Sequence, residues 1–502
     1  MSQIRKKSLK ASAWIYVGFL IGAINTWFFT KEGWFDTGQY GLTRVMIEIG
    51  MLFFAVSTLG STSFLYKFFP YYEDNTQPAN NDILGLATMV ALAGFALTAL
   101  GVWVFEPLII QKFSDKSPLL IDYFYWCLPM SFFILLFHVL EAYAYGFKKG
   151  VVTSLLKETV LRGYILLLVI LKVTEVIDFK TFMLLFALQY AIIMLILWGY
   201  LLYEKRFWLH FKPTRVTIKF RKKIVAIMAL TFIVIVVGVL RQSIDSLVLA
   251  AKKDLANVGI FGFAVYMVSV LQAPFRSIVA VTIPVLSRAW KDKKMDEIDR
   301  IYKRSSINLL SFALMVFFCI WLNYSQAINF FGINPDYLEG RWVFFSLGIV
   351  TIIEMGTGVN GQIIGTSTFW RFEMWTSLLL TLLIIPLSYW LTVEYGILGP
   401  AFANMVSFFI YNTIRIWFLW KKFHLQPFSI KTLEVVVLAL GVYALIALTL
   451  GSVTGLVGLI SRSVLYLTLF VGGMYWRKIS PDLMPVVHTV MKKLGLRKVN
   501  SE

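Results

Sequence analysis

The stretch that decides the fold class runs from Ile224 to Ala250 and reads IVAIMALTFIVIVVGVLRQSIDSLVLA. An α-helix rises about 1.5 Å per residue, so about 20 apolar residues suffice to cross the roughly 30 Å of hydrocarbon in a bilayer. The first charged side chain in this stretch is Arg241. The whole chain has the same character, because 58% of its 502 residues are hydrophobic, 15% are charged and the mean hydropathy is +0.73. This composition predicts an all-α membrane protein.

Further apolar blocks of similar length bring the predicted number of transmembrane helices to about fourteen. The predicted spans are residues 11–30, 43–66, 83–105, 119–147, 151–171, 181–203, 224–250, 258–283, 306–322, 342–365, 372–393, 397–420, 432–450 and 456–476. Lys and Arg test this count, since they accumulate in cytoplasmic loops. With a cytoplasmic N-terminus, 32 of the 47 Lys and Arg lie on the cytoplasmic side and 8 on the other. We therefore expect a multi-pass protein of the cell (inner) membrane with both termini in the cytoplasm.

A four-residue pattern that occurs twice suggests an internal repeat. Residues 38–41 (GQYG) open the second predicted span, and residues 259–262 (GIFG) open the eighth, 221 residues later. Two halves of six spans each imply a parallel repeat with its pseudo-axis along the membrane normal. The predicted domains are an N-terminal lobe (1–203), a basic cytoplasmic linker (204–223), a C-terminal lobe (224–420) and a region with the last two spans and a basic tail (421–502).

The charge and the motifs limit the classes of function. A net charge of +19 is typical of nucleic-acid-binding proteins, but here the basic residues lie in the loops of a membrane protein, so we predict no nucleic-acid partner. The sequence has no P-loop, HExxH, EF-hand or serine-nucleophile pattern, and its longest loops have about 20 residues. We therefore predict a protein that is not an enzyme and has no metal or organic cofactor.

Charged residues inside the predicted spans are the main functional candidates, because each costs about 2.5–3.5 kcal/mol to insert at a helix centre. Three i,i+4 pairs of opposite charge occur in spans two, five and seven: Arg44 with Glu48, Glu158 with Arg162, and Arg241 with Asp245. Residues at this spacing share a helix face and can pair. Two interpretations stay open, namely structural ion pairs inside the bundle and groups that line a polar cavity.

Arg276 differs from these pairs, because no carboxylate lies three or four residues away on its own helix. It follows Gln272 and Pro274, and at such a proline-disturbed position its guanidinium could bind a phosphate. The alternative is that its side chain extends to the membrane interface. For Arg415, which is closer to its helix end, the sequence favours this second interpretation.

Residues 354–362 (EMGTGVNGQ) in the tenth span combine three glycines with polar side chains. Such a segment is expected to bend or to pack closely against another helix. Close packing is slightly favoured, and the alternative is that Glu354 faces a cavity and binds a proton or a sodium ion.

Several short motifs resemble the multidrug/oligosaccharidyl-lipid/polysaccharide exporter superfamily, and within it the polysaccharide-biosynthesis (Wzx-type) flippases. They are residues 12–16 (SAWIY) after a basic start, 38–42 (GQYGL), 59–64 (LGSTSF), 257–261 (NVGIF) and 394–403 (EYGILGPAFA). The resemblance implies two six-helix lobes around a central cavity and alternating access, which moves a polyprenyl-pyrophosphate-linked oligosaccharide from the cytoplasmic to the outer leaflet. Fourteen spans fit the polysaccharide branch, with spans thirteen and fourteen added to the lobes.

On this interpretation the charged residues in the spans have assigned roles. The candidate pyrophosphate or sugar contacts are Arg44, Arg241, Gln272 and Arg276, and the candidate ion-coupling or cavity-tuning groups are Glu48, Asp245 and Glu354. Coupling to H⁺, Na⁺ or the membrane potential would drive transport, and polysaccharide polymerase machinery is a further expected partner.

Three other functions remain open from the sequence. A cation-coupled multidrug antiporter shares the lobed architecture but would need an acidic cavity. A peptidoglycan lipid-precursor flippase also has fourteen spans, although residues 11–29 lack the first-helix arginines associated with that subgroup. A membrane-embedded glycan polymerase or ligase would need a larger loop outside the cytoplasm.

Overall fold

The structure, a computed structural model, describes the backbone of residues 3–77 and 80–482, and the side chains from residue 17 onward. The described part is all-α, as predicted. In chain order the helices are α1 (Gln3–Thr30), α2 (Thr37–Ser57), α3 (Ser61–Asn75), α4 (Ile83–Phe113), α5 (Pro118–Tyr123), α6 (Cys127–Gly146), α7 (Gly150–Leu155), α8 (Leu161–Val173), α9 (Phe179–Ala187), α10 (Gln189–Tyr203), α11 (Arg215–Lys252), α12 (Leu255–Leu271), α13 (Ala273–Lys291), α14 (Met295–Phe330), α15 (Gly340–Gly356), α16 (Asn360–Thr366), α17 (Trp370–Tyr395), α18 (Leu398–Phe423), α19 (Ile430–Leu450) and α20 (Gly455–Trp476).

Each of the fourteen predicted spans coincides with a helix or with a broken helix. Within the described residues, nine segments are long and apolar enough to cross a membrane, or eleven when two bent helix pairs each count as one span. The first, fifth and twelfth predicted spans are outside this count. Many apolar helices in one chain make this a multi-pass membrane protein.

Six of the predicted spans contain more than one helix, and four of these interruptions have clear local causes. Gly60, with φ +77°, separates α2 from α3. A π-helical turn at Leu156–Val160 divides α7 from α8. Helices α12 and α13 meet at 46° beside Pro274, and α15 and α16 meet at 47° beside Gly358. Proline, glycine and π-turns are the usual sites where a helix bends.

The chain divides into two compact units, Met1–Gly259 and Ile260–Glu502. The predicted lobes and linker at 1–203, 204–223, 224–420 and 421–502 remain predictions. In the first unit, Asp82 at the start of α4 accepts hydrogen bonds from Thr214 and from Thr217 Oγ1 (2.5 Å), which fixes the end of the basic linker where α11 begins. In the second unit, Phe317 of α14 stacks on Phe344 of α15 with ring centroids 5.5 Å apart.

Gly41 of the first glycine motif and Gly259 of the second lie against each other inside the first unit. A Cβ atom on Gly41 would lie 1.8 Å from the carbonyl oxygen of Leu255, and one on Gly259 would lie 2.2 Å from the carbonyl oxygen of Thr37. The start of α2 therefore packs backbone to backbone against the start of α12. Only a residue without a side chain allows helices to approach this closely.

Candidate functional site

In the first unit, the predicted candidates lie on two helices that pack together, α2 and α11. Helix α2 begins with a capping box in which Asp36 and Gln39 satisfy each other's backbone amides. Ser243 of α11 donates a hydrogen bond to Glu48 Oε2 at 2.7 Å. This contact brings the α2 candidates, Arg44 and Glu48, against the part of α11 that carries Arg241.

The carboxylate of Glu48 is therefore held by a hydroxyl group of another helix. Within the described residues, no ion pair within 4 Å joins Arg44 to Glu48, so the i,i+4 spacing alone did not produce a salt bridge. Arg44, Glu48 and Arg241 are all half-buried, as is Asp245 one turn beyond Arg241. Their roles as substrate contacts or coupling groups remain predictions.

In the second unit, the candidates surround the bend between α12 and α13. Gln272 lies at the bend and donates to Thr351 Oγ1 of α15 at 3.5 Å, a long hydrogen bond. Glu354 is three residues beyond Thr351 on the same helix, so Gln272 and Glu354 belong to one neighbourhood. Arg276 lies in the first turn of α13 and is exposed. The structure thus joins Gln272 to Thr351, which lies one helical turn before Glu354.

Residues 354–362 are expected to bend or to pack closely, and they do both; side chains of other helices stabilise the bend. Gly358 has φ +60°, and a Cβ atom there would lie 2.9 Å from the amide nitrogen of Ser306 on α14. Thr357 Oγ1 and Asn360 Nδ2 both donate to Asn412 Oδ1 of α18, at 3.1 and 3.0 Å. The break between α15 and α16 is therefore enclosed by α14 and α18.

The prediction that Arg415 extends to the interface is wrong. Its side chain is only 7% exposed and forms an ion pair with Glu373 of α17. The guanidinium also donates to Thr376 Oγ1 and to Asn360 Oδ1, each at 3.4 Å, and lies 3.8 Å from the ring centre of Tyr411. A buried arginine needs such partners to offset the loss of water. Arg415 therefore joins α18 to α17 and to the break before α16.

The fifth span carries a second charged cluster. Glu158 and Arg162 form the predicted i,i+4 ion pair, at 3.0 Å. Beside it, Lys157 Nζ lies 2.9 Å from Glu141 Oε1 of α6, and His138 Nδ1 lies 3.4 Å from Glu141 Oε2. Lys157 and Glu158 both belong to the π-helical turn. π-Turns inside helices frequently occur at functional sites.

Comparison with known proteins identifies the fold. No family model matches the sequence, and no curated protein matches it. Among solved structures, the chain is similar to the lipid II flippase MurJ in an inward closed conformation, with a TM-score of 0.73 and 16% identity over 93% of this chain and 99% of that one. The chain has the MOP-transporter fold.

Two further solved structures agree with this fold. An inward-facing multidrug resistance MATE family transporter of the MOP superfamily matches with a TM-score of 0.60 and 14% identity over 81% of this chain and 96% of that one. A MOP superfamily transporter from Pyrococcus furiosus matches with a TM-score of 0.53 and 14% identity over 82% and 96%. At these identities the likeness establishes the fold alone, and membership of the superfamily and of its polysaccharide branch remains a proposal.

Within this MOP fold, the sequence analysis missed Arg462 in the last span. This arginine is 4% exposed and donates to the carbonyl oxygens of Leu322 (3.2 Å) and Gly458 (3.0 Å) and to the side chain of Gln326. These contacts attach α20 to α14. The signal that could have revealed Arg462 is a single charge within an apolar run of about 20 residues, which requires polar partners on a neighbouring helix.

Proposed function

We propose that the chain is a flippase that moves polyprenyl-pyrophosphate-linked oligosaccharide from the cytoplasmic to the outer leaflet of the cell membrane by alternating access. The observation that carries this proposal is the likeness in fold, over 93% of the chain, to a flippase for a lipid-linked substrate. The match to the MATE family transporter covers 81%. The part of the chain that the flippase covers and the MATE family transporter does not is similar in size to the C-terminal helix pair α19 and α20, which spans residues 430–476.

The charged residues support an anionic substrate. A diphosphate attached to a glycan cannot cross hydrocarbon unaided, because burying its charge and hydroxyl groups without partners costs many kcal/mol. Guanidinium groups bind phosphate oxygens through paired hydrogen bonds. Arg44 and Arg241 supply such groups in the first unit and Arg276 supplies one in the second, where Gln272 is a neutral candidate contact. The polyprenyl chain can stay in the lipid throughout.

Acidic groups near the candidate substrate contacts would couple transport to an ion gradient or to the membrane potential. Glu48, Asp245 and Glu354 are half-buried carboxylates on helices that also carry, or pack beside, these polar contacts. Binding of H⁺ or Na⁺ at such a carboxylate, or movement of the charged substrate along the membrane potential, would bias the two states that face opposite sides of the membrane.

Reconstituted transport tests the proposal. Proteoliposomes would receive polyprenyl-pyrophosphate-linked oligosaccharide with a fluorescent sugar, and its arrival in the opposite leaflet would be followed with a membrane-impermeant quencher. We expect Arg276→Ala to slow transport at least tenfold, since a lost charge-assisted hydrogen bond costs about 1.5–3 kcal/mol. Arg288→Ala is the matched control, because Arg288 lies on the same helix with an 85% exposed side chain near Asp292. Equal rates for both variants would remove Arg276 from the site.

A peptidoglycan lipid precursor is the second candidate substrate, because one of the similar structures is a lipid II flippase. The same assay with fluorescent lipid II would separate the two substrates by their rates. A multidrug antiporter would instead move cationic dyes under a proton or sodium gradient, and dye transport without lipid transport would replace the proposed function.

A further inference from the structure

A cavity of about 320 Å³ lies between two loops of the first unit. We call it the loop pocket, and its principal lining residues are Gly33, Trp34, Lys172, Glu175, Asp178 and Phe179. The loops follow α1 and α8, and the distribution of Lys and Arg predicts that both lie outside the cytoplasm. The volume is within the range of about 300–1,000 Å³ that is usual for small-molecule sites.

The apolar side of the loop pocket is built from fixed aromatic rings. Trp34 stacks on Phe28 with ring centroids 4.8 Å apart, and Lys31 Nζ lies 4.4 Å from the centre of the Trp34 ring. Phe179 stacks on Phe182 with centroids 6.1 Å apart. Aromatic rings that packing already holds in place offer contact area at a low cost in conformational entropy.

The polar side combines one cation with carboxylates. Lys172 Nζ donates to the carbonyl oxygen of Trp34 and lies 4.2 Å from the ring centre of Phe35, so it ties the two loops together. Asp178 Oδ1 accepts a hydrogen bond from the backbone amide of Thr181 at 2.9 Å. Hydrogen bonds from Thr181 hold the pKa of Asp178 below its usual range, so this carboxylate is a charged acceptor at neutral pH.

Glu175 occupies a position that disfavours its side chain on two grounds. The residue lies two positions beyond the end of α8 and has φ +58°, in the left-handed region where glycine is preferred. The amide of Val176 donates to the carbonyl oxygen of Leu171 at 3.0 Å, which is the hydrogen bond expected around a terminal glycine. A negative charge at the C-terminal end of a helix is also unfavourable. Its side chain is exposed and lines the loop pocket. Local rules are commonly broken in this way where a side chain binds something.

The aromatic, cationic and acidic side chains of the loop pocket together indicate which class of ligand it binds. Two carboxylates disfavour phosphate, and Lys172 disfavours a metal ion; among the described residues no group of three metal-ligating side chains occurs. A neutral group with several hydroxyls fits, since its C–H face packs on aromatic rings while its hydroxyls donate to carboxylates. We propose that the loop pocket binds a sugar residue of the transported glycan on the outer side of the membrane. This inference rests on the proposed function for the identity of the glycan.

The test is a binding measurement on the full chain in lipid nanodiscs. The probe is the soluble oligosaccharide released by mild acid from the lipid-linked fraction of the host membranes, labelled at its reducing end and followed by equilibrium dialysis. We expect Glu175→Gly to raise Kd at least tenfold. Its melting temperature should be equal or higher, because glycine suits the backbone there. Glu32→Gln is the matched control, since Glu32 is an exposed carboxylate of the same loop region that does not line the pocket.

The outcomes separate this inference from the proposed function. Equal Kd values for the wild type and Glu175→Gly would overturn the sugar site, as would an absence of probe binding to a wild type that transports the lipid-linked oligosaccharide. Binding of the probe by a wild type that does not transport would overturn the proposed function and leave the sugar site standing. Displacement of the probe by free glucose, galactose or N-acetylglucosamine at micromolar concentration would reassign the loop pocket to free sugars.

Discussion

The contact between Gly41 and the start of α12 provides a sharp test of the packing. In Gly41→Ala the new Cβ atom would lie 1.8 Å from the Leu255 carbonyl oxygen, whereas ordinary contacts begin at 3.4 Å, so the helices would have to separate by about 1.6 Å. The atoms that the new Cβ atom would meet belong to the backbone of Leu255 and Gly259, and backbone atoms cannot rotate away as a side chain can. Overpacking of this kind costs about 1–3 kcal/mol, and the backbone clash places Gly41→Ala at the upper end. We expect a clearly lower free energy of unfolding.

Gly238→Ala is the matched control for this prediction. Gly238 lies inside α11, and an added Cβ atom would meet nothing within 4 Å. There the same substitution should be neutral or stabilising by up to about 1 kcal/mol, because alanine favours a helix over glycine. The free energy of unfolding of both variants is measured in mixed detergent micelles by tryptophan fluorescence, and the two values are compared. Equal stabilities for Gly41→Ala and Gly238→Ala would refute the close contact between α2 and α12.

Two further predictions concern ion pairs. Arg415→Met should destabilise the protein by about 3 kcal/mol, because it leaves the Glu373 carboxylate without its partner, and adding Glu373→Gln should recover part of this loss in the same micelle assay; additive effects would contradict the pairing. Hydrogen bonding between Lys149 and Glu204 lowers the pKa of Glu204 and raises that of Lys149. The pair should therefore stabilise the protein fully between about pH 5 and pH 10, weakening as the pH falls through the lowered pKa of Glu204 or rises through the raised pKa of Lys149. Lys149→Met should lower the melting temperature within that window only, whereas Lys148→Met, at an exposed neighbour, should not.

The fold was largely predictable, because each span is encoded locally by about 20 apolar residues. The interruptions in the spans were harder to predict from the sequence. The glycines in residues 354–362 indicated a bend, but the π-turn at Leu156–Val160 contains no glycine or proline that would mark it. Its Lys157 contacts Glu141 of α6, and a tertiary contact of this kind is not encoded in the local pattern.

Arg276 and Arg415 show why candidate sites are harder to predict than spans. Neither has a carboxylate three or four residues away, so spacing along one helix treats them alike. Glu373, the partner of Arg415, is 42 residues away in sequence and on another helix. Arg276 is exposed, and among the described residues no carboxylate oxygen lies within 4 Å of its guanidinium. An arginine that the fold has neutralised cannot readily bind a diphosphate as well, since a second anion would compete with its partner. Of these two residues, Arg276 is therefore the better candidate for a substrate contact, and this distinction required the three-dimensional structure.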